Sequence, residues 1–137
     1  MITEKISSFA IVDDRSIVIP SPVFNLNTIL KAKIILYNLY RDQEYALNLR
    51  ILKENHSHLV DNTMEIGKNP SKEFGDEPYN ASITMTTNEM NEKVALTAGN
   101  YELEVALGKI DSHEDNAINV TTKDKSKLYF TIVESED

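Results

Sequence analysis

The fold class is decided by one stretch of the chain, Leu96-Thr97-Ala98-Gly99-Asn100-Tyr101-Glu102-Leu103-Glu104-Val105-Ala106-Leu107. From Tyr101 to Leu107 the larger apolar residues stand at odd positions, whereas Glu102 and Glu104 stand at even positions. Successive side chains of a β-strand point to opposite faces, so a period of two is typical of a strand with one buried and one solvated face. The segment therefore predicts a half-buried strand.

A tight corner is predicted immediately before this strand. Gly99 tolerates positive φ, and the hydroxyl of Tyr101, two residues later, can reach back to upstream backbone. Together with Leu96 and Ala98, these residues resemble the tyrosine corner of immunoglobulin-like sandwiches. The resemblance implies a fold class and no specific family. The alternative is an ordinary Ala-Gly-Asn hairpin turn before an antiparallel strand.

Similar alternating or β-branched runs recur along the chain. They predict strands at 6–12, 16–19, 30–37, 45–52, 58–66, 81–87, 101–107 and 127–133. We expect 30–37 and 45–52 to be adjacent antiparallel strands, although their apolar residues also fit a helical spacing, which leaves helices as the alternative. Seven or eight short strands without a convincing long helix predict an all-β fold. We expect a single antiparallel two-sheet sandwich, immunoglobulin-like, over residues 1–137, with a flexible acidic tail at 134–137.

Four connecting segments carry further predictions. The acidic and basic residues at 13–15 predict a polar turn. The sequence Pro-Ser-Pro at 20–22 predicts an edge strand that kinks or crosses between the sheets, because proline removes a ladder donor. A capping-box pattern at 86–89 predicts one helical turn at 88–94. Residues 108–119 are polar and acidic, and we expect them to form a loop.

The composition limits the compartment and the class of partner. Residues 1–60 carry seven Lys or Arg and six Asp or Glu, whereas residues 61–137 carry seven and sixteen. The acidic second part argues against a surface that binds phosphates. We therefore expect no direct contact with nucleic acid. The chain has no cysteine for a disulfide. It also lacks an apolar signal segment and a membrane-spanning run, so we expect a cytoplasmic protein with no membrane contact.

Residues that could carry chemistry are few. His56 and His58, with His113 elsewhere, offer imidazoles for zinc, and the carboxylates at 111–115 offer oxygens for calcium, but neither set has the spacing of an established metal site. No phosphate-binding glycine loop, cysteine nucleophile or Gly-x-Ser-x-Gly elbow is present. We therefore predict no enzyme activity, no metal and no cofactor.

A carbohydrate-binding module is a further alternative. Sandwich modules that bind sugars stack them on exposed aromatic rings, and Tyr37, Tyr40 and Tyr129 are candidates for exposure. The chain contains no Trp, which weakens this alternative.

The leading hypothesis is a non-catalytic protein-interaction module of a small soluble bacterial or phage protein. It would contact a protein partner through its loops and an exposed edge strand, and its acidic second part permits a basic partner. The longest predicted loop, residues 67–78, contains Phe74, an apolar residue without a periodic partner. Phe74 is therefore the first candidate contact residue. The sequence does not determine the oligomeric state.

The alternative function is an acidic, phage-encoded inhibitor that imitates nucleic acid. Carboxylates spaced along strands and loops can imitate a row of phosphates and bind the Lys/Arg groove of a nucleic-acid enzyme. The candidate residues for this role are Glu102, Glu104, Asp111, Glu114 and Asp115. The first two project from one strand, and the other three lie in the segment that follows it.

Overall fold

The computed structural model describes residues 3–13, 15, 17–19, 23–25, 31–53, 58–70, 77–86, 98–115 and 117–134, with the backbone alone at 25 and 58–62. Its strands are β1 (Lys5–Val12), β2 (Val23–Asn25), β3 (Lys31–Leu39), β4 (Tyr45–Lys53), β5 (His58–Ile66), β6 (Tyr79–Thr86), β7 (Gly99–Glu114) and β8 (Ala117–Val133). They form a three-stranded sheet in the order β1-β3-β6 and a five-stranded sheet in the order β2-β8-β7-β4-β5. The described ranges contain no helix, and therefore none that could cross a membrane. The all-β, two-sheet prediction is confirmed.

The inner faces of the two sheets pack around one apolar core. In β4 the odd-numbered residues Tyr45, Leu47, Leu49 and Ile51 are fully buried, as the alternation predicts. The three-stranded sheet contributes Ile11, Ala32, Ile34, Leu36, Leu39 and Met85 to the same cluster. Because this cluster removes whole side chains from water, it is the main source of stability.

The chain changes sheets between β1 and β2. β1 pairs with β3 in the three-stranded sheet, whereas β2 pairs with β8 at the edge of the five-stranded sheet. The crossing predicted from Pro20 and Pro22 is confirmed, although these prolines lie outside the described residues. The β2–β8 pair is parallel, so the prediction of a wholly antiparallel sandwich is wrong at this edge. At the turn before the crossing, Asp13 accepts hydrogen bonds from the backbone N–H groups of Arg15 and Ile17.

β3 and β4 are strands, so the helical alternative is wrong. The prediction that they are adjacent in one sheet is also wrong. β3 lies between β1 and β6, and β4 lies between β5 and β7. The connection at 40–44 therefore crosses from one sheet to the other. Both strands bury a complete face, and such a pattern fits two strands that face each other across the core as well as two that share a ladder.

The predicted acidic loop at 108–119 is instead the outer part of a long β-hairpin. β7 continues to Glu114 and β8 begins at Ala117. The ladder between them contains register shifts at Leu107/Gly108 and Ile110/Ser112. Polar residues are tolerated in these strands because many of them are exposed in this part of the hairpin. The prediction of a loop is wrong because polar side chains are accommodated at the exposed positions of a strand as readily as in a loop.

The hydrogen bond typical of a tyrosine corner occurs at Tyr45. Its buried hydroxyl donates to the Glu4 carboxylate at 3.0 Å and accepts from the backbone N–H of Tyr40 at 2.9 Å. At the predicted corner, Gly99 has a φ of 151° and the ring of Tyr101 is buried and stacks on Phe130 at 5.1 Å between centroids.

Several predictions fall outside the described residues. They are the helical turn at 88–94 with residues 87–89 of its capping box, the contact residue Phe74 and the end of the acidic tail at 135–137.

Candidate binding groove

The outer face of the five-stranded sheet carries an open groove of about 950 Å³. It extends over β5, β4, β7 and β8. The residues that line it are Ala46, Asn48, Arg50, Thr63, Glu65, Glu104, Ala106, Gly108, His113, Glu114, Ala117, Ile118, Val120, Thr122 and Lys125. Its volume lies within the range of small-molecule binding sites.

The groove has space because three adjacent outer-face residues are small. Ala46 pairs with Gly108, and Ala106 is the preceding outward position of β7. A Cβ atom added to Gly108 would lie 3.2 Å from the Cβ of Val120, so this glycine permits β8 to approach closely. Ala and Gly are poor strand formers, and larger side chains at these positions would fill the groove.

One wall of the groove is the overhanging end of the β7–β8 hairpin. β4 pairs with β7 only as far as the Tyr45–Lys109 pair, and the hairpin continues beyond it. Two hydrogen bonds tie this end to Glu44: the backbone N–H of Ile110 donates to its carbonyl at 2.9 Å, and Nε2 of His113 lies 2.8 Å from its Oε2. Register shifts of this kind bend a hairpin and increase its twist, which explains how the hairpin end lines the groove.

A hydrogen-bonded row of polar side chains crosses β4 and β5 along the groove. Nε of Arg50 donates to Oδ1 of Asn48 at 3.1 Å, and Nδ2 of Asn48 donates to Oγ1 of Thr63 at 2.9 Å. These bonds connect the three side chains and limit their rotamers. Such preorganisation reduces the entropy that binding costs.

The charges around the groove are mixed. Its lining includes the cations Arg50 and Lys125 and the carboxylates Glu65, Glu104 and Glu114. Beside it, Nζ of Lys127 lies 3.7 Å from Glu102 and 3.6 Å from Glu104. The two carboxylates, Glu102 first, raise the pKa of Lys127 above its ordinary value. The groove thus offers donors and acceptors side by side and has no dominant sign of charge.

The structure brings together only some of the predicted site residues. Glu104 and Glu114 line the groove, and Glu102 shares Lys127 with Glu104. Asp111 and Asp115 are exposed near the hairpin end without lining the groove, and Asp111 accepts a hydrogen bond from the hydroxyl of Thr121. The remaining candidate, Phe74, lies outside the described residues.

Sequence reasoning missed the polar residues on the groove side of β4 and β5, namely Asn48, Arg50, Thr63 and Glu65. A usable signal was present in the small residues Ala46 and Ala106, which stand at outer-face positions of the alternating pattern, where strands usually carry larger polar side chains. For metal binding, no three His, Asp or Glu side chains converge in the part of the chain that the structure describes. His56 and the side chain of His58 are not in that part.

Comparisons with known proteins support the fold and identify no family. No family model matches the chain, and no curated protein matches its sequence. Among solved structures, the C-terminal domain of wzt has a TM-score of 0.62 at 12% identity, with 100% of this chain and 77% of that chain covered. A CARDB domain from Pyrococcus furiosus in complex with di-metal ions has a TM-score of 0.46 at 12% identity, over 96% of this chain and 86% of that chain. An adhesin from Mobiluncus mulieris has a TM-score of 0.45 at 10% identity, over 96% of this chain and 58% of that chain.

At these identities the likeness concerns the fold alone. The wzt domain is a β-sandwich domain of the immunoglobulin-like type. The predicted resemblance is therefore supported at the level of the fold.

Proposed function

We propose that this chain is a non-catalytic binding module that holds a neutral, hydroxyl-rich oligosaccharide in the groove on the outer face of its five-stranded sheet. The observation that carries the proposal is the groove itself, with its floor of small residues and its hydrogen-bonded polar row. Together these features provide a cavity for sugar rings and a fixed set of polar partners around it.

The chemistry of the lining favours a hydroxyl-rich ligand. A sugar hydroxyl both donates and accepts, so it is matched by neighbouring groups of both kinds. Arg50 and Lys125 are donors, Glu65 and Glu104 are acceptors, and Asn48 is both. A phosphate polymer would be repelled by the three carboxylates in the lining. An apolar ligand would bury these polar groups without hydrogen-bond partners.

A protein partner is the second candidate, because β5 is a nine-residue strand at the edge of the five-stranded sheet. An edge strand of this length can pair with an extended segment of another chain. This is the protein-interaction hypothesis in its edge-strand form, and the partner would bind beside the groove and not within it. Nucleic-acid mimicry remains a prediction, and it has to account for Lys127 between Glu102 and Glu104.

The two candidates can be separated by a capture experiment with the producing organism. The immobilised protein is incubated with the polysaccharide fraction, after mild hydrolysis, and separately with the protein fraction. The test variant is Ala106→Phe, which fills the groove floor. Its matched control is Ala10→Phe, because Ala10 pairs with Lys33 on the outer face of the other sheet.

We expect wild type and Ala10→Phe to retain carbohydrate and Ala106→Phe to retain none. Retention of a protein by all three chains, with no carbohydrate, would favour the edge strand and contradict the groove. Retention of nothing from either fraction would contradict both candidates. Urea denaturation of each variant verifies that it is folded.

A further inference from the structure

Tyr129 is a large aromatic residue that the fold leaves 64% exposed. It pairs with Glu102 in the β7–β8 ladder, and paired residues project from the same face of a sheet. Its ring therefore stands on the outer face of the five-stranded sheet, where the groove opens. Along β8, Tyr129 is four residues from Lys125 in the groove lining, roughly 13 Å at the rise of a strand.

The surroundings of Tyr129 on this face are polar and ordered by side-chain contacts. Between Tyr129 and the groove, Lys127 lies within 4.0 Å of both Glu102 and Glu104. On the other side, Oγ1 of Thr131 donates to Oδ1 of Asn100 at 2.8 Å. An aromatic ring is thus set between two polar clusters, in line with the groove and at the same surface.

We propose that Tyr129 is the stacking platform of a second subsite, which holds one sugar ring of the oligosaccharide whose other end occupies the groove. This inference rests on the proposed function. A pyranose ring has an apolar face of C–H groups, which fits the negatively polarised face of a tyrosine ring. The hydroxyls at the edge of the sugar ring would meet Lys127 and Glu102. The cations and carboxylates between the two subsites supply polar contacts along the whole ligand.

A single fluorescent reporter can test this platform because the chain contains no Trp. Tyr129→Trp places one indole at the subsite, and Tyr37→Trp places one at an exposed position of the three-stranded sheet as a control. Each protein is titrated with maltohexaose, cellohexaose, laminarihexaose and mannohexaose. Affinities of wild type, Tyr129→Ala, Tyr129→Phe and Ala106→Phe are measured by calorimetry with the same four probes.

We expect at least one probe to shift the emission of Tyr129→Trp and to leave Tyr37→Trp unchanged. We expect Tyr129→Ala to lower the affinity for that probe about two- to tenfold, because one aromatic contact is lost. Tyr129→Phe should retain the affinity because it keeps the ring, and Ala106→Phe should abolish binding.

The failures of the two proposals give different results. If Ala106→Phe abolishes binding while Tyr129→Ala leaves it unchanged, Tyr129 is an incidental exposed residue and the platform is overturned. If Tyr129→Ala weakens binding while Ala106→Phe does not, the ligand stacks on Tyr129 without entering the groove, which overturns the proposed function and with it the two-subsite arrangement. Absence of binding to all four probes by wild type contradicts both.

Discussion

The two faces of β4 differ in their surroundings, although their residues alternate along one strand. On the inner face Tyr45, Leu47 and Leu49 are fully buried, whereas on the outer face Asn48 and Arg50 contact the groove. The inner residues fill the core, and the outer residues form hydrogen bonds with one another on the face that we propose to be the binding surface. A strand can therefore carry stability and binding as nearly independent properties.

The largest expected effect is on the inner face. Leu47→Ala removes a fully buried side chain and leaves a cavity between the sheets, so we expect a loss of about 2–5 kcal/mol in the free energy of unfolding. Asn48→Ala, one residue away on the outer face, should cost less than about 1 kcal/mol. Urea denaturation of both variants measures the contrast. Similar losses for the two would show that the faces are not independent.

The next effect concerns the Tyr45 hydroxyl at the end of the core. Tyr45→Phe leaves the Glu4 carboxylate and the Tyr40 N–H without this partner, so we expect a loss of about 1–3 kcal/mol in the free energy of unfolding. The exposed Tyr37→Phe is the matched control, and we expect it to be neutral. An equal cost for both substitutions would contradict a structural role for this hydroxyl.

The same hydroxyl predicts a dependence of stability on pH. Burial, with a smaller contribution from Glu4, raises the pKa of Tyr45 above its ordinary value of 10.0. The folded state therefore holds this proton more tightly than the unfolded state. The resulting stabilisation is complete below pH 10 and is lost as the pH rises further. Between pH 9 and roughly pH 11, the free energy of unfolding should fall more steeply for wild type than for Tyr45→Phe, and parallel profiles would exclude the effect.

The smallest expected effect on stability lies at the first residue of β7. Gly99 has a φ of 151°, and a Cβ there would lie 2.9 Å from Cε of Lys53. Gly99→Ala should cost on the order of 1 kcal/mol, since the Lys53 side chain can move but the backbone cannot relax fully. Gly67→Ala is the control because nothing lies within 4 Å of that position, and thermal melting of both variants measures the difference. Equal melting temperatures would argue against strain at Gly99.

The inner face could be predicted from sequence and the outer face could not, for a physical reason. The buried residues of β4 and β7 repeat with a period of two, and burial of apolar side chains enforces that pattern locally. The pairing of β4 with β7 depends on contacts between residues distant in sequence, so the alternation of 45–52 could not exclude β3 as a neighbour. The second hydrogen bond of the Tyr45 hydroxyl likewise requires Glu4, which is remote in sequence and close only in the fold.

The groove is harder still to predict because it depends on the shape of the β7–β8 hairpin. The overhanging end of the hairpin contains the register shifts near Gly108 and Ile110. Nothing in the polar sequence of 108–119 specifies these shifts. The sequence indicates Glu104 by its charge and its outward position in a strand, and Glu114 by its charge in the segment that follows. Their shared position in the groove follows from that hairpin geometry.

The outer face of the five-stranded sheet is the proposed binding surface. The most direct test of this claim is the mapping of amide chemical shifts in ¹⁵N-labelled wild-type protein during titration with the oligosaccharide that the capture experiment retains. We predict shifts that are concentrated at Asn48, Arg50, Ala106 and Lys125, with β1, β3 and β6 unchanged. Shifts confined to the three-stranded sheet or to the edge of β5 would contradict the claim.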